Sequence, residues 1–107
     1  MARETASMLW TIPGGLSSSG VKTADALIKT GAGFLHTLTI SCNDAAPTAG
    51  SLIVYDNTSE TGTVLYNETF TTTAFRGYTV TLDIPFSTGL YFGFTTTADV
   101  NVVASYA

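Results

Sequence analysis

The eighteen residues from Ala49 to Tyr66, AGSLIVYDNTSETGTVLY, constrain this chain most. Ser51 to Tyr55 is a short run containing the β-favouring residues Ile53, Val54 and Tyr55. Asp56, Asn57, Thr58, Ser59 and Glu60 then form a polar turn, and Thr61 to Tyr66 resumes a β pattern around Gly62. Asp and Asn side chains bond the backbone two residues on, so such a turn needs no tertiary partner. The segment reads as strand, turn, strand.

Around this hairpin the pattern is almost continuously β. Ala24 to Thr30 is a strand candidate, closed by Gly31-Ala32-Gly33. In Phe34 to Cys42 the residues Phe34, His36, Leu38, Ile40 and Cys42 alternate with Leu35, Thr37, Thr39 and Ser41, the period of a half-buried strand. The loop from Asn43 to Gly50 holds Pro47, and Thr71 to Ala74 is a turn or a twisted strand end. Tyr78, Val80, Leu82 and Ile84 face one way, opposite Thr79, Thr81 and Asp83. Pro85, which has no N–H for a central ladder, is expected to end that strand. Leu90, Phe92 and Phe94 alternate with Tyr91 and Gly93, and Val100, Val102, Ala104 and Tyr106 with Asn101, Val103 and Ser105.

Strands so short, with turn signals at roughly 8–12-residue spacing, predict one antiparallel β-sandwich. A jelly-roll-like arrangement is the expectation, with a simple Greek key as runner-up. Residues 1–20 differ from the rest. Met8, Leu9, Trp10 and Ile12 make a small apolar knot, followed by Pro13-Gly14-Gly15 and Ser17-Ser18-Ser19-Gly20. Gly and Ser at that density make a flexible connector. The expected organisation is an arm over 1–20, with a short strand at Met8 to Ile12, and a sandwich over 21–107. Trp10 either docks the arm on a neighbouring subunit or folds back onto its own core.

Charged residues make up 11% of the 107-residue chain, against about 25% in an average domain. Thr is the commonest residue, so the surface must be built largely of hydroxyls. The net charge is −4, and Arg3, Lys22, Lys29 and Arg76 are scattered, leaving no cationic stripe to neutralise phosphates. Nucleic-acid binding is therefore not expected. Neither a bilayer-spanning run nor the basic head and apolar core of a signal peptide is evident. The single cysteine, Cys42, excludes an internal disulfide and fits synthesis in a reducing cytoplasm. The sequons at Asn57 and Asn67 carry little weight in a chain so rich in Thr and Ser.

Few groups suit catalysis. His36, the one imidazole, is expected on an apolar face as a core or interface histidine, and Cys42 as a buried inert thiol. Along one strand they stand roughly 20 Å apart, too far for a dyad. Asp56, Glu60 and Glu68 could gather near the hairpin, but nothing specifies a catalytic carboxylate pair, and Asp56-Asn57-Glu60 matches no calcium loop. No zinc ligand set, phosphate-cradling glycine loop or nucleophile elbow is present, so no cofactor and no enzyme activity are expected. Tyr55, Tyr66 and Tyr91 are expected in the sandwich or at a subunit contact, and flat exposed rings among them would instead mark a carbohydrate-binding module.

Several segments resemble small tailed-phage virion proteins. The YDNTS hairpin of Leu52 to Thr58, with Gly62-Thr63-Val64-Leu65 as its return strand, is similar to a hairpin recurring in that group. Lys29 to His36 resembles the group's glycine turn into a Leu-His strand start, and Pro85-Phe86-Ser87-Thr88-Gly89-Leu90-Tyr91 resembles its lead-in to the penultimate strand. Ala98 to Val102 looks like its final strand, so the likeness covers roughly residues 20–107. It implies a non-enzymatic component of the virion, made in the bacterial host cytoplasm. Some proteins of this look are cement or decoration proteins on the outside of the head, contacting the major capsid protein as symmetric oligomers, with a trimer favoured. Others are accessory pieces of tails or fibres. On that reading Met8, Leu9, Trp10 and Ile12 supply part of the partner contact.

Overall fold

A computed structural model describes residues 15–42, 45–95 and 99–107. The expected strand Met8 to Ile12 and its apolar side chains lie outside these residues. Eight strands follow in chain order: β1 Ser17–Ser18, β2 Ala26–Thr30, β3 Gly33–Cys42, β4 Gly50–Asp56, β5 Thr63–Phe70, β6 Tyr78–Phe86, β7 Gly89–Thr95 and β8 Val100–Tyr106. They form two four-stranded antiparallel sheets, ordered β1-β8-β3-β6 and β2-β7-β4-β5.

The pairing has a simple logic. β4 pairs with β5, β3 with β6, β2 with β7 and β1 with β8, as along one long hairpin. Rolling that hairpin lays β3 against β8 and β4 against β7, which closes the two sheets. This is the eight-stranded jelly-roll order, and its tip is the Asp56–Gly62 turn. There the Asn57 side-chain amide donates to the Thr61 carbonyl (2.8 Å), and Gly62 takes a φ of +95°, open to a residue without a Cβ.

The core fills the space between the sheets. Leu35, Leu38 and Ile40 of β3 and Val100, Val102 and Ala104 of β8 meet Leu52 and Val54 of β4 and Leu90 and Phe92 of β7, all fully buried. At the sheet's end, Ala107 exchanges backbone hydrogen bonds of 2.8 and 2.9 Å with Phe34.

Three sequence expectations are corrected. Ser17 and Ser18, read as connector, pair with Tyr106 and Ser105 of β8. Pro85 does not end its strand: it pairs with Phe34 inside β6. β6 is an edge strand, where one row of backbone groups has no neighbour and a missing N–H costs little. The third concerns β3, where the alternation breaks at a bulge. Leu35 pairs with Ile84 and Thr37 with Thr81, so Leu82 and Asp83 stand opposite His36 alone. Against β8, His36 is itself the extra residue, because Leu35 and Thr37 face the consecutive residues Tyr106 and Ser105. The bulge shifts the strand's phase, so Leu35 and Leu38 both point inward.

Candidate interaction face

The same register that buries the core fixes what each sheet shows to solvent. On the second sheet Leu52 and Val54 point inward, so Ile53 and Tyr55 point out. Directly opposite partners share a face, and Tyr55 faces Tyr91 of β7 and Val64 of β5, while Tyr91 faces Leu27 of β2. Leu27, Tyr91, Tyr55 and Val64 thus form one row across all four strands. Leu27 and Val64 are 47% and 50% exposed, and the two tyrosines between them are half-buried.

Beside this row Ile53 faces Gly93. A Cβ at Gly93 would lie 2.7 Å from Glu60 Oε2 and 3.0 Å from Tyr55 Cε2. The glycine therefore lets the Tyr55 ring and the Glu60 side chain lie flat on the sheet. Glu60 reaches there from the β4–β5 turn and meets Asp25, which precedes β2 and accepts a hydrogen bond from the Phe94 amide (2.7 Å). The charge of Asp25, then desolvation, then a hydrogen bond with Asp25 hold the Glu60 carboxyl above its ordinary range. Burial, followed by the charges of Asp25 and Glu60, also raises the Tyr91 phenol, which stays protonated as a donor.

The carboxylates that the sequence grouped near the hairpin are dispersed. Asp56 accepts hydrogen bonds from the backbone amides of Ser87, Thr88 and Gly89, clasping the β6–β7 turn to the end of β4. These amides and the Ser87 hydroxyl hold its carboxyl below the usual range. Glu68 accepts from the Tyr66 phenol on the inner side of β5, opposite Val54 and Leu52. The Asp25–Glu60 pair escapes sequence reading because no local spacing links a bend before β2 to a turn after β4.

His36 is not on the apolar face. The bulge turns it outward, 39% exposed, with Nδ1 at 2.5 Å from Asp83 Oδ1. Asp83 adopts a φ of +50°, a left-handed conformation that Asp tolerates better than most residues. The pair staples the bulge. Cys42 is half-buried at the end of β3. Among the described residues no group of three or more His, Cys, Asp or Glu side chains could hold a metal ion. Of the tyrosines, Tyr66 packs against the core and Tyr55 and Tyr91 lie on the outer row. The partner-binding residues expected at Met8, Leu9, Trp10 and Ile12 fall outside the described residues.

No family model, no curated protein and no solved structure matches this chain.

Proposed function

We propose that the chain is a non-enzymatic cement (decoration) protein. In this reading it seats on the outer surface of a tailed-phage head, bridging neighbouring major capsid protein subunits as a homo-oligomer, with a trimer favoured. The observation that carries the reading is the exposed row Leu27, Tyr91, Tyr55 and Val64. Tyrosines flanked by aliphatic side chains combine large contact area with a polar tip, and such anchors dominate binding energy at interfaces. A chain with only 11% charged residues also strips little charge of water on docking. Many copies with modest contacts each would add up to strong reinforcement.

The arm supplies a second contact through Met8, Leu9, Trp10 and Ile12. Deleting residues 1–13 leaves the sandwich folded and abolishes particle binding; binding at full strength would remove the arm from the account. The location itself is tested by antibody-gold labelling of intact particles from the source lysate. Gold spread over the head supports the cement role, whereas gold at the tail alone moves the chain to a tail or fibre accessory.

A second reading, a carbohydrate-binding module, is favoured by one feature: Tyr55 and Tyr91 stand side by side on an exposed face. Unlabelled particles together with saturable sugar binding lost in Tyr91→Ala would put that reading first.

A further inference from the structure

A cavity of about 460 Å³ opens where the β5–β6 connection crosses between the edges of the two sheets. Three aromatic rings, those of Phe70, Phe75 and Tyr78, line part of it. Phe75 lies parallel to Phe70, with ring centroids 5.7 Å apart and planes within 7°. The Tyr78 ring, also in the lining, lies 5.7 Å from that of Phe75 and is tilted by 54°. Glu68 lines the same cavity, and Thr71 and Thr73 bring hydroxyls to its rim.

Glu68 is held in place by phenols. The Tyr66 hydroxyl donates to its Oε1 at 2.5 Å. Burial pushes Tyr78 up to about 12, and the charge and hydrogen bonding of Glu68 add to that effect, so Tyr78 too remains a donor. Neutral donors orient a carboxylate without cancelling its charge. Among the described residues Glu68 forms no ion pair, and Arg76, between Phe75 and Tyr78 in the chain, is exposed to solvent. The cavity therefore sets a carboxyl group held by a neutral phenol donor beside a cluster of aromatic rings.

We propose that this cavity binds an organic cation, an alkylammonium or guanidinium group. The aromatic faces attract the cation through their quadrupoles, and the carboxylate takes its N–H donors or its charge. A neutral group of equal shape gains only the apolar contact. The site lies apart from the outer row and does not depend on the cement reading.

The test uses the isotopically labelled full chain and its amide NMR spectrum. It is titrated separately with an Nα-acetyl-lysine methylamide, the arginine equivalent, tetramethylammonium and the uncharged norleucine equivalent. The expected result is saturable shifts centred on residues 68–78 with the cations, and binding weaker by roughly tenfold or more for norleucine. Phe75→Ala and Glu68→Gln each weaken the cations by a similar factor. Preference for lysine or arginine over tetramethylammonium assigns the site to a partner protein's side chain, and equal binding assigns it to small free cations; both support the site. Norleucine binding as tightly as lysine, or no saturable shift with any cation, overturns it. The comparison of lysine with norleucine is made on the unaltered chain, so it stands even if a variant fails to fold.

Discussion

Two outer faces of one sandwich carry opposite chemistry. Across the first sheet, Ser18, Ser105, Thr37 and Thr81 stand opposite one another in a row. Beside it Val103, Thr39 and Thr79 make a second row, in which the Thr39 and Thr79 hydroxyls lie 3.1 Å apart. The corresponding row on the second sheet is Leu27, Tyr91, Tyr55 and Val64. Both faces obey the same period-two rule, and both back the same core. Alternation decides which side chains leave the core, whereas composition decides whether the face they form is wetted or adhesive. Hydroxyls on a sheet hydrogen-bond water and each other, so the first face has little to gain from a partner; the second does.

The comparison rests on a rigid frame, and the largest effect expected is on that frame. Phe92, fully buried between the sheets, opens a cavity when truncated. Phe92→Ala is expected to destabilise the fold by about 3–5 kcal/mol in chemical denaturation. A loss under about 1 kcal/mol would mean that the second sheet is not anchored as described.

Next comes the clasp that fixes the tip of the second sheet. Asp56→Ala removes the acceptor of three backbone amides and is expected to cost about 1–3 kcal/mol at neutral pH. The Asp56 carboxyl is depressed, so its contribution is present above the unfolded aspartate range and fades as pH falls through the folded value. The gap between wild type and variant should therefore close in acid. A gap independent of pH would show that the charge is not what holds the turn.

The smallest effect concerns the acid pair at the edge of the tyrosine row. The Glu60 carboxyl is raised, so its favourable share is present below the unfolded glutamate range and disappears as pH rises through the folded value. Glu60→Gln keeps the shape without the second charge. Its melting temperature, relative to wild type, should rise as pH increases from the ordinary glutamate range to neutrality. Parallel profiles for the two proteins would mean that Glu60 and Asp25 do not interact in solution.

Much of the fold is legible in the sequence because its signals are local. The Asp56–Gly62 turn carries its own hydrogen bonds, and Val100, Val102 and Ala104 alternate into the core as the pattern says. The β3 phase is not legible, since a bulge at His36 is set by the partners β6 and β8 rather than by the strand itself. Pro85 is misread for the same reason: only strand order shows that β6 is an edge. In the run Leu52-Ile53-Val54-Tyr55 every residue suits a core, so nothing local says that Tyr55 faces out. The Asp25–Glu60 pair and the cavity beside Glu68 depend on strands brought together from distant parts of the chain.

The difference between the faces is tested most directly by binding of purified protein to particles from the source lysate, for two double variants. Tyr55→Ser with Tyr91→Ser should weaken binding by roughly a hundredfold or more, measured at a temperature where the variant is still fully folded. Thr39→Ala with Thr79→Ala should change it less than about twofold. Equal losses from both pairs, or a loss confined to the threonine pair, would contradict the assignment of the second sheet as the adhesive face.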